Sequence, residues 1–219
     1  MQSTGLSKCF RWLGESGVQF IKGDFYIKEE NLNQQKLLIL DLDETLIHSA
    51  KEKLDYEPAF VAPWCFLYKR PHVEQFMDFC REHFKVAIWT TASPEHAEMA
   101  LGQICEPDYP FEFVWTANRC TMVRDRLGFD DYGPGYHWVK DLKKIKRRGF
   151  KLEQTIMVDD TPSMLERQYG NLVPIKRFKG DQNDRELLKL MEYLMLLKSE
   201  PNIRKVEKAS GFSIYNVGS

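Results

Sequence analysis

The sequence predicts an α/β fold: a doubly wound, mainly parallel sheet with helices on both faces and no large cap domain. Three observations carry this. Five short apolar runs alternate with amphipathic stretches, the pattern of strands joined by crossover helices. The first and fourth runs, Leu37-Leu-Ile-Leu40 and Thr155-Ile-Met-Val158, have the composition of central strands buried on both sides. The chain has 219 residues, 43% apolar and 29% charged, enough for one full domain and too few for two. A chain of this size buries roughly 70% of its unfolded surface, so the core needs neither disulfides nor a structural metal.

The strands in order are Leu37–Leu40, Lys85–Trp89, Phe111–Trp115, Thr155–Val158 and Leu172–Ile175. Pro174 has no N–H to give a ladder, which puts the fifth strand at or near an edge. Pro71 opens a helix to about His83, with Val73, Phe76, Met77 and Cys80 on one face. Ser93-Pro94 supplies an N-cap and first position for a helix to about Cys105; Thr161-Pro162 repeats the signal, with Gly170 to close it. Asn183 and Glu186 have capping-box spacing, and Leu187, Leu188, Met191, Leu194 and Met195 then recur at helical intervals. Two long segments, His48 to Tyr68 and Arg119 to Val139, read as irregular insertions, neither large enough to form a covering domain. Residues 1–35 form an N-terminal arm whose Trp12, Phe20, Phe25 and Tyr26 are expected to pack on the body; 36–200 is the domain and 201–219 a polar tail.

Lys and Arg number 31 against 32 Asp and Glu, for a formal charge of -1, so no overall field draws the chain to nucleic acid or a membrane. No apolar run approaches the roughly 18 residues of a spanning helix, and the start lacks the apolar stretch of an export signal. The five cysteines (Cys9, Cys65, Cys80, Cys105 and Cys120) are odd in number and contain no C-x-x-C. They read as reduced thiols, and the expected location is intracellular, cytoplasmic or nuclear.

The chemistry is concentrated at strand ends. Leu37-Leu-Ile-Leu-Asp-Leu-Asp-Glu-Thr45 runs a buried strand into Asp41 and Asp43, and Ile156-Met-Val158 runs into Asp159-Asp160. Open α/β sheets bind ligands beyond the carboxyl ends of their strands. Converging carboxylates repel, and a hard divalent cation with oxygen ligands relieves them, magnesium being the natural choice. Such an ion lets an ionised Asp attack phosphorus, giving an acyl-phosphate. In this reading Asp41 is the nucleophile and Asp43 the general acid and base. Thr90, after Val86-Ala-Ile-Trp89, and Lys140 receive the phosphoryl oxygens. For a lone D-x-D, a chain bend and helix caps would be the better explanation; the Thr-ended strand, the lysine and a second acidic strand end in that order favour chemistry.

Asp41-Leu-Asp-Glu-Thr45 resembles the first motif of the haloacid dehalogenase (HAD) superfamily. Together with Lys69-Arg-Pro71, Trp89-Thr-Thr-Ala-Ser93, Val139-Lys-Asp-Leu142 and Val158-Asp-Asp160, it resembles the FCP/SCP-type phosphatases that act on the RNA polymerase II C-terminal domain. The resemblance covers about residues 36–198. It implies a magnesium-dependent phosphatase whose metal ligands are Asp41, the Asp43 carbonyl and the Asp159-Asp160 pair, with Asp160 favoured as direct ligand and Asp159 as ligand or support. It favours Thr90 over Thr91 for the phosphate. Without a large cap, the open site suits a phosphoserine or phosphothreonine on a protein or peptide. Two alternatives are a small-metabolite phosphatase and a phosphopeptide-binding scaffold with low turnover.

Cys120-Thr-Met-Val-Arg-Asp-Arg126 fits the C-x5-R of cysteine phosphatases, but has no Gly to build an amide cradle. Seven basic residues lie between Lys140 and Lys151, most simply a solvated helix face. Arg70 and Arg119 are candidates for substrate phosphate or for structural ion pairs. His48 and His137 match no metal spacing. Trp64, Phe66, Tyr68, Tyr132, Tyr136 and Trp138 serve loop packing in the simpler reading and a peptide pocket in the other.

Overall fold

The computed structural model describes residues 35–130 and 133–208. The expected arm up to residue 34, Cys9, Tyr132 and the tail from residue 209 lie outside them. The described elements are β1 (Leu37–Leu40), β2 (Ile47–Ala50), β3 (Phe60–Ala62), β4 (Cys65–Lys69), α1 (Val73–His83), β5 (Lys85–Trp89), α2 (Pro94–Ile104) and β6 (Phe111–Trp115). They continue with β7 (Thr121–Asp130), β8 (Gly133–Val139), α3 (Lys143–Arg147), β9 (Thr155–Asp159), β10 (Leu172–Pro174) and α4 (Glu186–Ser199).

Five parallel strands form the main sheet in the order β10-β9-β1-β5-β6, so the expected doubly wound sheet is present and the Pro174 strand lies at an edge. The chain runs outward from β1 in one direction and then returns to β1's other side through β9. Strand order therefore reverses at β1, where such sheets open a crevice. Alternation divides the core. Leu38 and Leu40 of β1 join the α1, α2 and α4 side with Phe76, Ala97 and Leu190. Leu37 and Ile39 face the other way, toward Trp89, Leu142, Ile145 and Leu165. Each such leucine is fully buried, worth about 1.5–3 kcal/mol relative to exposure.

Several local expectations need correction. The described residues of the two insertions form strands: β2, β4 and β3 pair as an antiparallel sheet, and β7 pairs antiparallel with β8. The first helix begins at Val73, two residues after Pro71, because His72 at the N-cap adopts a left-handed φ of 67°. Thr161-Pro162 opens only a 3-10 turn, Pro162–Leu165, and a second such turn covers Tyr169–Asn171. The Thr161 hydroxyl does not cap; it donates to Asp160 (3.2 Å). The N-terminus of α4 is served by Asp184, whose Oδ1 accepts the Glu186 N–H at 2.9 Å, while Asn183 makes no cap. By contrast, Ser93 caps α2 as expected, accepting the His96 N–H at 3.2 Å.

Candidate active site

β1 runs directly into Asp41, whose N–H still pairs with the Val158 carbonyl (3.0 Å), so the ends of β1 and β9 deliver their carboxylates side by side. The chain then turns tightly: the N–H groups of Thr45, Leu46 and Ile47 all converge on the Leu42 carbonyl, and Glu44 takes a left-handed φ of 61°. This turn presents Asp43 at the rim, with its side chain 31% exposed, while Asp41 is buried. Carboxylate oxygens of Asp41, Asp159 and Asp160 lie within 4.8 Å of one another.

Lys140 leaves the end of β8 and enters this cluster. Its buried ammonium donates to Asp41 Oδ1 at 2.6 Å and to Asp159 Oδ2 at 2.8 Å. Asp159 is fully engaged, since its Oδ1 also accepts the Thr161 N–H at 2.9 Å. Asp160 is held through Oδ2 by Arg177 Nε (2.7 Å) and by the Thr161 hydroxyl. The Arg177 segment is pinned here because the Phe178 N–H donates to the Glu44 carbonyl at 2.7 Å.

Burial pushes the Asp41 carboxyl up to about 7; the Lys140 ammonium opposes the rise and the Asp159 carboxylate reinforces it. Burial likewise raises Asp159. Lys140 moves upward because Asp41 and Asp159 together outweigh its own desolvation. Ionised, the three carboxylates of Asp41, Asp159 and Asp160 outnumber the two cations that pair with them, Lys140 and Arg177. The surplus negative charge favours a cation, and an all-oxygen donor set suits a hard divalent one.

Thr90, at the end of β5, is buried, and its oxygen is fixed by the Ala92 N–H at 3.0 Å. Thr91 is exposed on the same loop. Arg70 is a correction: it is fully buried, grips both oxygens of Asp184 at 2.9 Å, and is not available to a substrate. Arg119 lies with its guanidinium 5.4 Å from the centre of the Trp115 ring. His48 pairs with Glu44 and His137 with Glu166, ordinary hydrogen-bonded histidines. Trp64, Tyr136 and Trp138 are exposed, whereas Tyr68 is buried against Tyr56.

Cys120 is buried, its thiol is raised by that burial, and the residues after it run into the extended strand β7. Extended backbone spreads its amides along the strand instead of gathering them around an anion. In the basic run, Lys144 donates to the Arg119 carbonyl (2.6 Å), and Arg148 covers Phe113 and Trp115.

Two residues at the site escaped the sequence reading. Arg177 follows an edge strand and gives no local signal. His96 had one: it is the third residue after the Ser93 cap, in the first turn of a helix starting beside Thr90. Its Nε2 lies 2.9 Å from Asp43 Oδ1, and Ser49 Oγ lies 3.3 Å from the same oxygen.

A buried carboxylate cluster bridged by lysine at the strand-order reversal defines a HAD-type phosphatase framework. Residues 36–204 match the model of the NLI interacting factor-like phosphatase family, and the chain belongs to that family, within the FCP/SCP-type branch of the HAD superfamily. It is 28% identical over 184 residues to CTD small phosphatase-like protein 2 of Dictyostelium discoideum, covering 80% of this chain and 30% of that protein. It is 25% identical to the human CTD small phosphatase-like protein, covering 77% of this chain and 58% of the relative. The chain thus spans under two thirds of the length of either relative. Among solved structures, the fission yeast RNA polymerase II CTD phosphatase Fcp1 bound to beryllium fluoride aligns with a TM-score of 0.49 at 19% identity, over 78% of this chain and 54% of that one.

Proposed function

We propose that the protein is a magnesium-dependent phosphatase that removes phosphate from phosphoserine or phosphothreonine on a protein or peptide. The observation that carries this is the convergence of the Asp41, Asp159 and Asp160 carboxylates, the first two bridged by the Lys140 ammonium. Asp41, the Asp43 carbonyl and Asp160 Oδ1 would hold the ion, leaving Asp159 to fix Lys140 and the backbone at Thr161. The ion supplies positive charge that offsets repulsion between the nucleophile and the phosphoryl oxygens.

Asp41 attacks phosphorus through one carboxylate oxygen while the bond to the serine or threonine oxygen breaks. Asp43 gives its proton to that departing oxygen. Thr90 and Lys140 receive the phosphoryl oxygens, with Thr91 at the rim, and their fixed positions require no rearrangement as charge develops. Water then attacks the aspartyl-phosphate, Asp43 takes the water's proton, and phosphate leaves with Asp41 restored. The substrate class is supported by the names of the relatives, CTD small phosphatase-like proteins, and by insertions that, among the described residues, amount to a small sheet and a hairpin.

The test is phosphate release from phosphoserine peptides and from sugar phosphates at matched concentrations, with magnesium or with a chelator. Preference for the peptides, lost on chelation, supports the proposal. Preference for sugar phosphates would give the site to small metabolites, and chelator-resistant turnover would remove the metal from the account.

A further inference from the structure

We infer that His96, with Ser49, is a positioning residue that dedicates one oxygen of Asp43 to holding the side chain and the other to proton transfer. This rests on the phosphatase reading above. His96 Nε2 is 2.9 Å and Ser49 Oγ 3.3 Å from the same atom, Asp43 Oδ1, and the two partners are themselves 3.3 Å apart. Three groups from three elements thus meet at one carboxylate oxygen: the loop after β1, strand β2 and the first turn of α2.

His96 is well placed to be rigid. Its own N–H is held by the Ser93 cap, its side chain is only 14% exposed, and Ala97 behind it is buried in the core. Asp43, by contrast, stands on a turn at the rim, where a carboxylate would otherwise rotate freely about its last bond. In the tautomer that carries its hydrogen on Nε2, His96 donates to Oδ1 beside the Ser49 hydroxyl, and an oxygen accepting both bonds has no room for a hydrogen of its own. The transferable proton is therefore confined to Oδ2. That proton passes from Oδ2 to the serine oxygen as the P–O bond breaks, the bonding pair leaving with oxygen. In the second half-reaction, Oδ2 takes a proton from the attacking water.

The consequence is specific to leaving groups that need a proton. A serine alkoxide departs poorly without one, whereas 4-nitrophenolate leaves unaided. The kcat/KM value reports steps through the first phosphoryl transfer, so the two substrates separate the acid role of Asp43 from everything else at the site. For His96→Ala, kcat/KM on a phosphoserine peptide should fall about tenfold or more beyond any fall on 4-nitrophenyl phosphate. His96→Gln, which offers an N–H at a similar reach, should recover most of that difference. In an Asp43→Asn background the His96→Ala change should add no further discrimination. Thermal unfolding of each variant identifies loss of fold.

Equal losses on both substrates, no loss on either, or no recovery by Gln in a folded variant would overturn the inference while leaving the phosphatase reading standing. A magnesium-supplied wild-type protein that turns over neither substrate would overturn that reading and this inference together.

Discussion

Arg70 and Lys140 are both buried cations facing carboxylates, but one pairing is closed and the other is not. Arg70 grips Asp184 with Nε and Nη2, donates through Nη1 to the Thr45 carbonyl and through Nη2 to the Lys176 carbonyl, and Asp184 accepts a backbone N–H besides. One positive charge meets one negative, and although burial pushes Asp184 upward, the Arg70 bonds carry its carboxyl below the usual range. Lys140 is divided between Asp41 and Asp159, with Asp160 beside them, and Asp41 is pushed up to about 7. A charge-balanced cluster engaging all three guanidinium nitrogens ties the end of β4 to the start of α4. A cluster with surplus negative charge is poised to take a cation and an electrophile.

The comparison can be broken most directly at its two centres. Asp41→Asn should lower turnover about 10^4-fold or more with no loss of thermal stability, because it removes charge from an over-charged site; substantial residual phosphate release would break the contrast. Arg70→Ala should leave Asp184 buried and unpaired, lowering the unfolding free energy in urea by about 3–5 kcal/mol; a loss under about 1 kcal/mol would mean that the closed pair does not hold the fold. Lys140→Ala should reduce turnover about 10^2 to 10^3-fold and weaken phosphate-mimicking anions, and unchanged anion affinity in a titration would count against its place at the phosphoryl group.

The pH responses sharpen the contrast further and should be smaller. Protons compete with a cation for Asp41 below about pH 7, so magnesium affinity measured by calorimetry should weaken by up to about tenfold per pH unit as pH falls, and an affinity flat from pH 5 to 8 would contradict this. For Asp184 the sign follows from its lowered folded-state value. Its contribution to stability is complete above the ordinary carboxylate value of 3.8 and is lost as pH falls through the lower one. Asp184→Asn should flatten that acid limb of the unfolding profile.

The sequence disclosed what depends on local pattern. The central strands show as apolar runs because both their faces are covered, and the site shows because the first carboxylates follow those runs without an intervening loop. Arg70 was ambiguous since its partner is 114 residues away and only folding brings them together. Thr before Pro ordinarily caps a helix, whereas in this fold the Thr161 hydroxyl lies between Asp160 and Arg177. The small sheet is hidden because its strands of three to five residues lack the continuous apolar runs of the core, β3 having two exposed residues in three; the longer hairpin strands are hidden because charged residues, Gly and Pro interrupt them. His96 and Arg177 were missed because each acquires its role from a tertiary neighbour.

The central claim is that Asp41 accepts the phosphoryl group in a site completed by a divalent cation. The direct measurement is rapid-quench capture of label from a phosphoserine peptide carrying radioactive phosphorus, with the modified residue mapped after trapping the acyl-phosphate. Label on Asp41 that requires magnesium and disappears in Asp41→Asn is the predicted result. Label on another residue, or turnover that continues with the metal chelated, would contradict it.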